Sequence, residues 1–208
     1  LIYKPWNEGT NYMYLSKSNS SYTTTNLEAS LTYEREFNYA HNVSGLLLFS
    51  TRNKYNNVPA NFEQSFAYKN MGLAGRATYS YKDRYFGEFN FGYNGSENFA
   101  PGKRFGFFPS IAVGYIISNE PFWEPIKETV NLLKFKVSYG KIGNDQIGGS
   151  RRFAYNSTIN TNASGFTFGT TPQGIGGITT GEVGNSLVQW EEALKFNAGI
   201  ELTLLSDL

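Results

Sequence analysis

The amino-acid sequence predicts an all-β protein, the wall of an antiparallel transmembrane β-barrel. Three observations predict it. Apolar and polar residues alternate through seven segments, and a period of two sends successive side chains to opposite faces of a strand. The chain is polar on average, with mean hydropathy -0.40, yet it holds 15 Tyr, 17 Phe and 22 Gly among its 208 residues. No apolar run approaches the roughly 18 residues a membrane-spanning helix needs.

The segments follow in order. "NLEASLTYEREF" (26–37) sets Leu27, Ala29, Leu31, Tyr33 and Phe37 against Glu28, Ser30, Thr32, Glu34 and Glu36. "NVSGLLLFSTR" (42–52) is weaker, with Val43, Leu47 and Phe49 on its better face. Within "GRATYSYKDRYFGEFNFGY" (75–93) two strands are expected, roughly 72–82 and 85–95, with Tyr79, Tyr81, Tyr85, Phe89, Phe91 and Tyr93 on one side. Parity requires an odd loop between them: Tyr81 faces Tyr85 across Lys82, Asp83 and Arg84, and three-residue hairpin loops are common. "FFPSIAVGYII" (107–117) carries Ile111, Val113, Tyr115 and Ile117 against Ser110, Ala112 and Gly114. "LLKFKVSYGKI" (132–142) carries Leu133, Phe135, Val137 and Tyr139 against Lys134, Lys136 and Ser138. "QWEEALKFNAGIELTL" (189–204) carries Leu194, Phe196, Ala198, Ile200, Leu202 and Leu204 against Lys195, Asn197, Glu201 and Thr203. Each has the roughly 9–11 residues or slightly more of a tilted membrane-crossing strand.

The connections alternate in length, short at one end and long at the other, as outer-membrane barrels do. The turns at 38–41, 82–84 and 118–131 are therefore expected in the periplasm, the last with one helical turn after Pro125. Segments 53–71, 95–106 and 143–188 are expected outside the cell. The last of these, rich in Gly, Asn and Thr, is far longer than an ordinary connection.

Energetics chooses which face meets lipid. If the apolar face covered a soluble core, six tyrosine hydroxyls would each need a buried partner; at strand ends they form a headgroup girdle instead. With the faces reversed, Lys134 and Lys136 would enter lipid at roughly 2–4 kcal/mol each, Arg76 and Lys195 adding similar costs. That sum rivals the whole stability of a domain, about 5–15 kcal/mol. The expected lumen-facing residues are Arg76, Glu88, Lys134, Lys136, Lys195 and Glu201. Arg35 and Lys141 break the outer pattern only near strand ends, where long side chains snorkel. Trp190 is expected in the outer girdle and Trp123 on the periplasmic side. A formal net charge of +1 argues against a nucleic-acid partner, and the absence of cysteine excludes disulfides and thiolate metal sites.

The segments "HNVSGLLLFS" (41–50), "GLAGRATYSYKDRYFGEFNFGYNGSENFAPGKRFGFFPSIAVGY" (72–115), "LLKFKVSYGKIGNDQIGG" (132–149) and "WEEALKFNAGIEL" (190–202) resemble the SusC/RagA-like TonB-dependent outer-membrane transporters. The resemblance implies a plugged barrel of about 22 strands, of which 1–208 supplies about seven. It implies import of oligosaccharides (glycans) or peptides with a SusD-like surface lipoprotein as lid, powered through TonB. The plug, the TonB-contacting segment and the C-terminal strands are expected outside these residues. Ser186, in "GNSLVQWEE", stands where the family commonly has Pro.

No catalytic residue, cofactor or metal site is expected. His41, the single imidazole, sits in a short turn with no nucleophile pairing implied. Glu34 and Glu36 share a strand face at a separation of about 7 Å, which glycosidase carboxylates also show, but they suit a lumen wall facing the plug. "GIGGITTG" (174–181) lacks the phosphate-loop spacing and its terminal Lys-Ser/Thr. "GNDQ" (143–146) offers one Asp without the acidic ladder of a calcium loop. Sugar or peptide binding would use exposed loop aromatics: Phe153, Tyr155, Phe166 and Phe168, with the amides of Asn144, Gln146, Asn160 and Asn162. Competing readings are a small complete barrel with a structural or adhesive role, needing "TNYMYLSK" (10–17) as an eighth strand, and a siderophore-type TonB-dependent receptor. A soluble sugar-binding module and an outer-membrane hydrolase stand further off.

Overall fold

The computed structural model describes residues 17–59, 63–148, 152–169 and 173–205. Among these residues nine strands form: β1 (Tyr22–Phe37), β2 (His41–Asn56), β3 (Tyr68–Tyr81), β4 (Tyr85–Ser96), β5 (Phe105–Ile116), β6 (Val130–Asn144), β7 (Ile159–Phe168), β8 (Gln173–Thr180) and β9 (Glu191–Leu204). Seven of them make one antiparallel sheet in the order β1-β2-β3-β4-β5-β6-β9, while β7 and β8 pair only with each other. The seven alternating segments of the sequence are the seven strands of the sheet. The proposed strand at 10–17 falls, but for Lys17, outside the described residues.

Two of the hairpins close through three residues. Phe37 pairs with His41 and Tyr81 with Tyr85, the odd loop that parity required. Their backbones enter the left-handed region at Asn38, Tyr39, Lys82 and Asp83, with φ of 51°, 49°, 50° and 51°. Asn and Asp tolerate that conformation because their short polar side chains bond locally. The third connection at this end holds two short 3-10 turns, Ile117–Asn119 and Pro121–Ile126. At the opposite end the strands run beyond the alternating segments, as in "YTTT" opening β1 and "NKYN" closing β2. There both faces are polar, so alternation stops while the hydrogen-bonded ladder continues.

The register assembles the apolar positions into rows that cross the sheet. At the short-turn end one row reads Phe37, His41, Tyr81, Tyr85, Tyr115, Phe135 and Ile200. Tyr85 stacks on Tyr115 with ring centroids 4.9 Å apart, and Tyr81 on Tyr85 at 6.3 Å. Four residues along, Tyr33, Gly45, Ala77, Phe89, Ile111, Tyr139 and Phe196 align, so Tyr139 lies within the band and not in the end girdle expected for it. Toward the long-connection end Leu73, Tyr93 and Phe107 align, then Met71, Gly95 and Phe105, with Tyr93 and Phe105 stacked at 5.1 Å. Leu27 to Phe37 is ten residues along β1, about 34 Å at 3.4 Å per residue, and a strand tilted by about 40° projects this to about 26 Å. That matches the roughly 25 Å apolar band of an outer-membrane barrel, with aromatic residues at its two edges.

Nothing in the described chain covers this face. Leu31, Ile111, Val113 and Phe196 are 70%, 55%, 54% and 67% exposed, and the buried apolar residues are Ala67, Phe99, Ala100 and Ala154, all outside the strands. A compact soluble protein of this mass exposes about 9,700 Å²; here the surface is 16364 Å². No helix among the described residues is long and apolar enough to cross a membrane.

Candidate functional site: the polar concave face and its loop cap

The other face of the sheet is concave. A hollow of about 740 Å³ touches residues of six successive strands, β1 to β6, among them Glu34, Glu36, Ser44, Thr78, Glu88, Ala112, Lys134 and Lys136. Small residues at the centre, Thr78, Ala112 and Gly114, leave the floor open, and charged side chains stand around it. Arg76 Nε donates to Asn90 Oδ1 at 2.9 Å and lies 3.7 Å from Glu88, whose carboxylate also accepts from the Asn90 amide at 2.6 Å. Glu201 accepts from Lys136, and Lys134 lies 3.7 Å from the same carboxylate. Strand alternation brings these groups together: Lys134 and Glu201 are direct partners in the ladder, and Lys136 is one same-face position along. All of them are partly open to solvent, so each pair contributes little to stability. Their effect is on the field of the wall.

All six residues expected in the lumen, Arg76, Glu88, Lys134, Lys136, Lys195 and Glu201, share this face by register. Five of them form the two clusters. Lys195 stands apart opposite Gly140 and makes no ion pair among the described residues. Glu28, Glu34 and Glu36 on β1 also have none, which leaves the β1 side acidic while the β6–β9 side gathers lysines. No group of three acidic or His side chains among the described residues could hold a metal ion.

At the long-connection end the loops form a small core of their own. Phe99 is 2% exposed and lies 5.4 Å from Trp190, whose ring also meets Phe108 at 5.1 Å. The Trp190 indole donates to the Arg104 carbonyl at 3.2 Å, and the residue lines a second hollow of about 480 Å³ with Glu28, Asn70 and Asn94 of the polar face. The outer-girdle position expected for Trp190 is therefore wrong. It precedes Glu191, the first residue paired in β9, so strand alternation does not set its direction. Trp123 does lie at the short-turn end, its indole donating to the Val130 carbonyl at 3.1 Å. Arg35 sits over the Phe37 ring at 4.8 Å and Lys141 pairs with Glu192 at 2.9 Å, both near strand ends.

Arg152 organises the cap. Its side chain is 5% exposed and bonds the Glu97 carboxylate, the Phe66 carbonyl at 2.9 Å and the Ala67 carbonyl at 2.8 Å, with the guanidinium 3.6 Å over the Tyr68 ring. The start of the long connection is thus clipped to β3 and to the β4 exit. Of the expected binding aromatics, Phe153 is packed on Phe66 at 5.8 Å, and the Tyr155 hydroxyl accepts from Arg104 at 3.4 Å. Phe166 and Phe168 are 75% and 59% exposed on β7. Asn144 is engaged by Glu191 at 3.1 Å, and Asn160 caps the Asn162 amide at 2.9 Å.

A second node escaped the sequence reading. Glu120 accepts from Arg84 at 3.0 Å, from the Tyr85 hydroxyl at 2.8 Å and from the Tyr115 hydroxyl at 3.2 Å. Its residues come from a turn, two strands and a connector, so no periodicity joins them.

A wall with an apolar band on one side and a charged hollow on the other finds counterparts among known proteins. No family model matches the chain. It is 28% identical over 197 residues to TonB-dependent receptor P39 of Formosa agariphila, across 83% of the chain and 18% of the receptor. It is 28% identical over 132 residues to TonB-dependent receptor SusC of Bacteroides thetaiotaomicron, across 64% of the chain and 13% of SusC. The solved RagAB peptide transporter superposes with a TM-score of 0.71 at 16% identity, over 89% of this chain and 22% of that one. In fold the chain resembles part of the RagAB barrel, and in sequence it is similar to SusC and related TonB-dependent receptors. The RagAB peptide importer in its closed-closed state gives a TM-score of 0.67 at 17% identity, over 88% of this chain and 22% of that one. The chain spans about a fifth of the length of the curated relatives it matches.

Proposed function

We propose that this chain is part of the barrel of a TonB-dependent importer in the outer membrane of a Gram-negative cell. The apolar face meets lipid and the charged concave face lines the lumen, where Arg76, Glu88, Lys134, Lys136, Lys195 and Glu201 meet a plug domain. The turns at 38–40 and 82–84 and the connector at 117–129 lie on the periplasmic side; the loop cap and the β7–β8 hairpin lie outside the cell. The observation that carries this reading is the single apolar band, about 26 Å tall by the register and tilt, backed across the same strands by charges that lipid would not accept.

The imported ligands are oligosaccharides or peptides, captured with a SusD-like surface lipoprotein and moved at the expense of inner-membrane energy through TonB. The similarity to receptors named TonB-dependent supports the energy source, and the likeness in fold to the RagAB peptide transporter supports peptides among the ligands. Phe166 and Phe168 are the open aromatic pair that ligand or lipoprotein would meet first, whereas Phe153 and Tyr155 hold the cap together. The test is uptake of labelled oligosaccharides and peptides by cells with and without the gene, and with and without TonB. Loss of uptake of the same ligand in both deletions is expected. Uptake of every ligand unchanged by either deletion would refute the proposal.

A further inference from the structure

The connector between β5 and β6, residues 117–129, is more than a turn. It opens with Ile117–Asn119 and continues as the 3-10 turn Pro121–Ile126. With three residues per turn, side chains three apart eclipse, so Phe122 and Pro125 share one side, Trp123 and Ile126 the next, and Glu124 the third, beside Lys127. Two sides are apolar and one is charged. Phe122 is 66% exposed and Ile126 47%.

Its placement gives this amphipathic turn a partner. The connector is fastened by Glu120 to the hydroxyls of Tyr85 and Tyr115. Both tyrosines belong to the end row of the apolar face, and both pair with each other in the ladder. Arg84 holds the other Glu120 oxygen, Asn119 donates to the Asp83 carbonyl at 2.7 Å, and Trp123 is tied to the Val130 carbonyl. These bonds draw the connector against the girdle. Two prolines, Pro121 and Pro125, fix φ along it.

We infer that residues 121–126 form an interfacial foot that seats Phe122 and Ile126 at the headgroup–acyl boundary of the phospholipid leaflet next to the short-turn end. The bound partner is the bilayer itself, reached by continuity with the apolar face, and Glu124 and Lys127 remain on the water side. An amphipathic segment with aromatic and aliphatic residues on one side and charges on the other is what lies in that interface. The inference rests on the membrane reading of the apolar face given above.

The test uses the protein in its outer membrane. The chain has no cysteine, so each introduced cysteine is the only one within it, and any cysteine elsewhere in the full-length protein is first replaced by serine. Nitroxide is attached at Phe122→Cys, Ile126→Cys, Glu124→Cys and, as reference, Phe89→Cys in the middle of the apolar band. Collision with oxygen and with a water-soluble nickel chelate is measured by power saturation. The expected result is an oxygen-to-nickel ratio at 122 and 126 between those at 89 and 124, and clearly nearer that at 89. A ratio at 122 and 126 equal to that at 124, with 89 still lipid-like, overturns the foot and leaves the barrel wall intact. Shielding of 122 and 126 from both agents overturns it too, in favour of a protein partner. A water-like ratio at 89 instead refutes the membrane face on which the inference depends.

Discussion

Replacing Ile111 by lysine places an ammonium on the apolar face, in the row of Phe89 and Tyr139. That row is four residues from the aromatic row at the short-turn end, or about 10 Å of the roughly 26 Å band after tilt, close to the middle of the bilayer. A lysine there costs about 2–4 kcal/mol, a shift of about 30- to 900-fold in the folding equilibrium. Ala112, the next residue, points the other way and is the ladder partner of Glu88. Ala112→Lys meets water and a carboxylate, so its effect stays within about 1 kcal/mol. The assay is urea unfolding of the intact barrel in lipid vesicles, followed by heat-modifiable gel mobility. Two neighbouring substitutions of identical chemistry should differ in midpoint, with Ile111→Lys by far the worse. If both cost the same, or if Ala112→Lys costs more, the assignment of faces is refuted.

The remaining predictions are smaller in scope. Glu201→Gln frees Lys134 and Lys136, and since all three side chains are partly exposed the unfolding midpoint should hardly move, as expected when a surface ion pair is removed. Arg152→Ala leaves the Glu97 carboxylate without its buried partner, a loss of about 3–5 kcal/mol of local order. Limited proteolysis should then cleave the 145–190 connection early with the melting of the sheet unchanged. Replacing Phe166 and Phe168 together by alanine should leave stability alone and weaken ligand capture about tenfold, at roughly 0.5–1.5 kcal/mol for each ring, read by equilibrium binding of the imported ligand. The isolated 208 residues should give no liposome swelling, because the free edges of β1 and β9 leave backbone groups unpaired in lipid.

The wall was legible because its code is local and strict. Alternation assigns each residue to a face, and the parity of the Lys82–Asp83–Arg84 loop sets the register of β3 on β4, so six of the charged residues of the polar face could be named from the sequence. Legibility stopped at the edge of the apolar band. Beyond it, "YTTT" and "NKYN" have no apolar side to reveal a strand, and the β7–β8 hairpin hides in glycine: its Gly165 lies so near the Ile175 carbonyl that a Cβ would sit 1.7 Å away, a constraint that alternation does not record. Trp190 was misplaced for the same reason, since parity was extended one residue past the last ladder bond. Arg152 and Glu120 were invisible because each gathers partners far apart in sequence, Arg152 reaching Phe66 and Ala67 across more than eighty positions. Charged residues at the ends of strands carry no periodic signal about what they will meet.

The hairpin also behaves as a lever. Its root is fixed where Thr158 exchanges backbone bonds with Gly181 and Glu182, both at 2.9 Å, and where Asn185 bonds Ala154 at 2.8 Å. Its ten-residue β7 extends about 33 Å from that fulcrum, and Phe166 and Phe168 ride near the far end. A tilt of about 10° at the root would carry those rings sideways by about 5 Å, the width of a strand spacing. Small adjustments at Thr158, worth a bond or two, would therefore decide which part of the mouth the open rings overhang.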